Sequence, residues 1–237
     1  MKEASKEDEE QFFDRTYKFG ARKPVSKFYT VVQSSRKYYE DFLFAHCRNK
    51  KVLEFGCGSG SYAFFLTRRG AKVMGIDISR VAIEQAKARA CKEKMKDIEF
   101  LVMDAEEMQF EDDSFDMVYG TGILHHLRLH KALRELARVL NPEGKAIFIE
   151  PMAHNPAINL FRKLTPRFRT KDEHPLTAKD LERMKEFFHQ ANYDFFHLFS
   201  LFAVPFRNSK VFSSLLKTLD DLDRKLFEWV TWMRPLA

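Results

Sequence analysis

Val52-Leu53-Glu54-Phe55-Gly56-Cys57-Gly58-Ser59-Gly60 decides the fold of this chain. A short apolar run leads straight into glycines at 56, 58 and 60, and the helical pattern of Ser61–Arg69 follows. Glycines at such a turn let the backbone bend tightly and approach a ligand with no Cβ in the way. The ligand then lies at a helix N-terminus, across the C-terminal ends of the strands. The spacing here is GxGxG. A dinucleotide fold expects GxGxxG, whose third glycine packs helix on strand. A GxxxxGK[ST] phosphate loop is also absent from the sequence.

Working outward, short apolar runs alternate with helical segments from 50 to 150. Strands are expected at Lys51–Phe55, Lys72–Ile76, Ile98–Met103, Phe115–Tyr119 and Lys145–Ile149, and helices at Arg80–Met95 and Leu129–Leu140. Ser79 stands where it caps the first of these helices, and Asn141-Pro142-Glu143-Gly144 ends the second. Strands separated by single helices are βαβ units, hence a parallel sheet covered on both faces. Asp77 ends the second strand, where a carboxylate can accept both hydroxyls of a ribose. Asp104 ends the third, placed to accept from an adenine amino group.

These residues resemble the class I S-adenosylmethionine-dependent methyltransferases, in particular the group that contains ubiquinone, menaquinone and natural-product methyltransferases. The likeness covers about residues 50–151. It rests on LEFGCGSG at 53–60, GIDIS at 75–79, Asp104-Ala105, FDMVYGTGILHHL at 115–127 and RVLNPEG at 138–144. It implies an α/β fold with a Rossmann-like, seven-stranded, mostly parallel sheet, and S-adenosylmethionine as cofactor. Gly56, Gly58 and Gly60 would cradle its methionine part, with Cys57 a small buried side chain inside the loop. Glu54 would hold the loop and meet the ammonium group. Asp77 would take the ribose, Ile78 would pack on the adenine, and Asp104 and Ala105 would edge it. Gly120 and Thr121 would lie near the reactive methyl.

Methyl transfer from a sulfonium needs alignment and, for a protonated acceptor, a base. His125 and His126 follow the fourth strand, and Glu150 ends its neighbour. One histidine facing the acceptor, with Glu150 orienting it, makes these three the candidate catalytic residues; packing and helix capping are the alternative use of the pair. No metal site is expected, since Cys47, Cys57 and Cys91 show no CxxC spacing. The turn after the fourth strand is Tyr119-Gly120-Thr121-Gly122, not the Pro-Pro-aromatic turn of the amino-methylating nucleic-acid and glutamine enzymes. No cysteine follows Cys91, which argues against a cysteine-nucleophile pyrimidine methyltransferase.

The 237 residues are 45% hydrophobic and 31% charged, a globular balance with a net charge of +6. That charge is too thinly spread for a duplex-binding stripe, so no DNA partner is expected. No apolar leader or membrane span is seen, and the odd cysteine count suits a reduced, cytoplasmic protein. The 24 phenylalanines are the oddity. They concentrate outside the core, in an expected helical cap at 1–48 (with 1–11 frayed), an insertion at 152–176 and a C-terminal part at 177–237. Such a lid suits a small apolar or aromatic acceptor, lipid-like ones included, methylated on O, C or S. A cofactor-binding protein without transfer, or an enzyme acting on tRNA or protein, are the other readings. Arg162, Lys163, Arg167, Arg169 and Lys171 form either a solvated face or a contact for an anionic acceptor. Thr177 and Asp180 open an expected helix to about His189, Tyr193–Leu201 is expected to be a strand, and 209–230 has helical spacing. The seventh strand is sought at Glu228–Met233. The polar face of 209–230 mixes Asp220, Asp221 and Asp223 with Lys217 and Arg224, so membrane contact is not favoured.

Overall fold

The structure is a computed structural model, and residues 6–19, 30–164 and 173–230 are described. Two N-terminal helices, α1 (Lys6–Phe19) and α2 (Gln33–His46), precede the core. The core runs β1 (Lys51–Phe55), α3 (Ala63–Thr67), β2 (Lys72–Asp77), α4 (Arg80–Lys92), β3 (Ile98–Val102), β4 (Phe115–Thr121), α5 (Leu129–Val139) and β5 (Leu140–Ile149). After it come α6 (Pro156–Leu164), α7 (Ala178–Met184), a 3-10 segment at Ser200–Phe206 and α8 (Phe212–Trp229).

The sheet has five parallel strands in the order β3-β2-β1-β4-β5. Alternation along β1 sorts the core. Val52 joins Tyr39, Leu43, Phe64 and Ile83 on one face, under α2, α3 and α4. Leu53 and Phe55 join Leu133 and Leu136 of α5 on the other. Strand order reverses between β1 and β4, which opens a crevice at the C-terminal edge. The caps read from the sequence form: Ser79 Oγ accepts from the Ala82 amide at 3.1 Å, and Thr177 and Asp180 make a reciprocal capping box.

Several expectations need correction. Five strands, not seven, occur among the described residues. Tyr193–Leu201 is not a strand. His197 has a φ of 68°, which breaks an extended run. The amides of Phe199 and Ser200 donate to the buried Asp223 carboxylate, at 2.7 and 3.1 Å, rather than to a sheet. Glu228 lies in α8, and 231–233 are outside the described residues. Residues 6–11 are helical, not frayed: Lys6 pairs with Glu106 at 2.9 Å and Asp104 at 3.3 Å, and Glu7, Asp8 and Glu9 suit the first turn. Pairing in β5 begins at Leu140 opposite Phe115 and resumes at Lys145 opposite Met117, so the Asn-Pro-Glu-Gly turn is a bulge within the strand. The helix from Thr177 ends at Met184.

Candidate active site

The pocket lies at the crevice, and its floor comes from four strand ends. Gly56, Asp77, Ile78, Asp104, Ala105 and Thr121 line it, together with Met103, Gly122, Ile123, His126 and Leu127. Its roof is α1, through Lys6, Glu9, Phe13 and Tyr17. The helix is anchored by Asp14, which accepts from Ser79 Oγ at 2.6 Å and the Val81 amide at 3.1 Å. Phe13 meets His126 edge-on, with ring centroids 5.3 Å apart.

Gly56, Gly58 and Gly60 all have positive φ, a conformation costly for any residue with a Cβ. Space is tight as well. A Cβ on Gly56 would come within 2.6 Å of Ile123, and one on Gly58 would collide with the Tyr17 hydroxyl. Asp77 ties the loop to β2: its Oδ2 accepts from the Gly58 amide and its Oδ1 from the Ser79 amide, both at 2.8 Å. Asp104 accepts from the Glu106 amide at 2.9 Å and faces Lys6.

Glu54, Cys57, Gly58, Gly60 and Gly120 stand behind the pocket wall. Cys57 is buried, with its amide on the Ile76 carbonyl at 2.8 Å. Gly60 packs on Phe64 and Phe100, and Gly120 on Phe148 and Ile123. Glu54 is fully enclosed, opposite Tyr119 in the strand register. Its Oε1 accepts from Ser61 Oγ and, at 3.3 Å, from the Tyr62 amide. Its Oε2 and the Tyr119 hydroxyl are both buried and face each other across the β1–β4 register. Burial pushes the Glu54 carboxyl up to about 7, against the hydrogen bonds that favour its ionised form.

The other end of the crevice is built from side chains. Glu150 folds the turn after β4: Oε1 accepts from the Ile123 and Leu124 amides at 2.8 and 2.9 Å, and Oε2 from the His125 amide at 3.4 Å. The same Oε2 holds His125 Nδ1 at 2.7 Å. His125 lies against His126, the rings tilted by 39° with centroids 4.1 Å apart, and its Nε2 faces Glu173 at 4.0 Å. Arg162 of α6 pairs with Glu173 at 2.9 Å. The His174 amide donates to the His125 carbonyl at 2.9 Å, fastening the insertion to the pair. His125, His126 and Glu173 thus converge, with donor atoms within 4.8 Å of one another. Tyr39 reaches in from α2, its hydroxyl donating to the Gly120 carbonyl at 3.0 Å.

This is a strand-end pocket with a glycine loop, two carboxylates on adjacent strands and a histidine pair at the switch point. Residues 53–148 match the methyltransferase domain family. The chain carries a class I S-adenosylmethionine-dependent methyltransferase domain. Over 116 residues this domain is 34% identical to the demethylmenaquinone methyltransferase of Lactococcus lactis, covering 47% of this chain and 45% of that protein. Over 113 residues it is 31% identical to the ubiquinone biosynthesis O-methyltransferase of Acinetobacter baylyi, covering 47% and 48%. The chain spans about half the length of the curated relatives it matches. Among solved structures the YcgJ protein of Bacillus subtilis aligns with a TM-score of 0.54 and 25% identity over 61% of this chain and 64% of that one. No helix among the described residues is long and apolar enough to cross a membrane.

Lys6, Phe13 and Tyr17 line the pocket, Tyr39 bonds the Gly120 carbonyl behind it and Glu173 faces His125, placements that the motif reading misses. Only the phenylalanine-rich helical cap expected at 1–48 hinted that an N-terminal element lies over the core. Arg167, Arg169 and Lys171 fall outside the described residues, whereas Arg162 is engaged by Glu173.

Proposed function

We propose that the chain binds S-adenosylmethionine in the crevice and transfers its methyl group to a small apolar or aromatic acceptor, by way of the histidine pair. One observation carries this reading: an oriented imidazole and a glycine-loop pocket with two carboxylates share one sheet edge. The residues suit that cofactor. Asp77 lines the pocket at the end of β2, where a carboxylate suits a ribose, Asp104 and the Ala105 edge suit an adenine, and Ile78 and Met103 supply apolar walls. Glu54 lies behind the loop facing the Tyr119 hydroxyl, and its carboxylate there suits an ammonium group. Bound S-adenosylmethionine supplies an electrophilic methyl on sulfur.

His125 does the proton work. With its Nδ1–H given to Glu150, the neutral ring keeps a lone pair on Nε2. Nε2 takes the proton of an acceptor hydroxyl, and Glu150 steadies the resulting positive charge. Its Cε1 lies beside Gly122 of the pocket wall, next to His126. Phe13, Ile123 and Leu127 on that wall favour an apolar or aromatic acceptor. The cavity under α1 is about 70 Å³, whereas small-molecule sites run to roughly 300–1,000 Å³. Helix α1 must therefore lift or shift to admit the cofactor.

Purified protein incubated with S-adenosylmethionine and cell extract split into small-molecule, RNA and protein fractions tests the reading. Release of S-adenosylhomocysteine with the small-molecule fraction is expected. Release confined to the RNA or protein fraction, or none at all, would overturn it.

A further inference from the structure

We propose that His125, His126 and Glu173 form a binding site for a divalent cation of the zinc class at the acceptor end of the crevice. Their donor atoms lie within 4.8 Å of one another, and all three side chains are largely enclosed. Two imidazoles and one carboxylate suit a borderline dication, and they leave coordination positions open. Zinc-ligand distances of about 2.0–2.2 Å require the set to close inward by about 1 Å, within reach of side-chain rotation.

Two further features support this. His125 Nδ1 is held by Glu150 at 2.7 Å, so the tautomer presents the Nε2 lone pair toward Glu173. A second carboxylate on the far nitrogen is the usual support of a metal-bound histidine, fixing both ring and tautomer. Moreover, Glu173 comes from the insertion, and the His174 amide bonds the His125 carbonyl, so the third ligand is fastened to the first. Sequence spacing conceals the set, because Glu173 stands far along the chain from the pair. Arg162 competes for the same site, with its guanidinium 2.9 Å from Glu173 Oε1. A dication at the site must displace it or share the carboxylate with it. For its role the site rests on the proposed methyl transfer: the dication takes the His125 Nε2 lone pair, an acceptor oxygen enters as a further ligand and its proton leaves to solvent water, so cation binding and proton abstraction by His125 are alternatives. It rests on the geometry alone for its existence.

Tag-free full-length protein, stripped by chelator, is titrated with Co²⁺ by visible absorption and with Zn²⁺ by calorimetry. Ligand-field bands of a nitrogen-oxygen site and one Zn²⁺ per chain are expected. Glu173→Gln should weaken Zn²⁺ binding at least tenfold while circular dichroism shows the parental fold. Arg162→Met should tighten binding, because it removes a cation beside the site. Absence of the bands, or equal Zn²⁺ affinity in parent and Glu173→Gln, or weaker binding in Arg162→Met, overturns the site. The binding readout needs no turnover. If Zn²⁺ binds as expected and no fraction releases S-adenosylhomocysteine, the cation site stands and the methyl-transfer reading falls. If release continues after chelation and no bands appear, the reverse holds.

Discussion

The two ends of the crevice are made in different ways. The glycine-loop end is mostly backbone: a loop of positive-φ glycines, pinned by Asp77 through the Gly58 amide. Its parts follow one another within β1, β2 and their turns. The histidine end is mostly side chain, gathered from the β4 turn, the end of β5, α6 and the segment at 173–174. Backbone-built binding depends on local conformation, so its pattern is compact in sequence. Side-chain constellations depend on tertiary packing and can be assembled from any distance. In the proposed function the first end holds the cofactor and the second acts on the acceptor.

The difference predicts that the two ends fail separately. Glu150→Gln should be as damaging at the histidine end as removal of the His125 ring. A glutamine can turn its carbonyl to the Ile123 and Leu124 amides, but its NH₂ then faces His125 Nδ1. The ring must switch tautomer, putting the hydrogen on Nε2 and removing the base. Turnover should fall roughly 10²–10⁴-fold, as for His125→Ala, with cofactor affinity within a few-fold of the parent. Single-turnover kinetics beside calorimetry checks this; a parallel loss of affinity would merge the two ends into one unit.

Two buried groups give opposite pH signatures on the two sides of the molecule. Glu54 sits behind the glycine loop, its carboxyl raised from 4.5 to about 7 by burial. Its contribution is fully present below pH 4.5 and is lost as pH rises through 7. His197 bridges α2 and the C-terminal part, with Nε2 on Ser35 Oγ at 2.7 Å and Nδ1 on Ser200 Oγ at 3.0 Å. Burial lowers it from 6.5 to about 4. Its contribution is fully present above pH 6.5 and is lost as pH falls through 4. Each shift corresponds to about 3 kcal/mol. Between pH 4.5 and 6.5 the two oppose each other, so their contributions to the parent's stability should largely cancel there. Denaturant unfolding of Glu54→Gln should show stability climbing with pH across that window, and His197→Asn should show it declining. Parental pH dependence in both variants would remove these groups as the cause.

Asp77→Ala should weaken S-adenosylmethionine binding by about 1.5–3 kcal/mol, because a ligand loses a charged acceptor and Gly58 loses its tether. Calorimetry on the folded variant measures it, and unchanged affinity would detach Asp77 from the ligand. Tyr39→Phe is the smallest effect, about 1 kcal/mol of stability from the bond to the Gly120 carbonyl. A neutral result in thermal unfolding would show that α2 holds the β4 end through packing alone.

The same contrast explains what could be read from the sequence. The five parallel strands, the glycine loop and the carboxylates at 77 and 104 were legible because period and turn chemistry are local. Glu150 and the histidine pair were legible through adjacent strand ends. Glu173 and Tyr17 were not, since nothing near them in sequence marks a site. Tyr193–Leu201 misled because aromatic residues favour strands, whereas here Asp223 takes the backbone amides that a sheet would need. Lys6 was hidden in a charged leader whose helix depends on the distant carboxylates of Asp104 and Glu106.

Titration of S-adenosylhomocysteine into the purified parent chain, with NADH titrated separately, tests the assignment of the crevice most directly. One molecule of S-adenosylhomocysteine per chain is predicted to bind, with proton release near pH 7 as an ammonium group draws Glu54 into its ionised form, and NADH is predicted not to bind. No heat with S-adenosylhomocysteine, or NADH binding at micromolar concentration, would contradict the account.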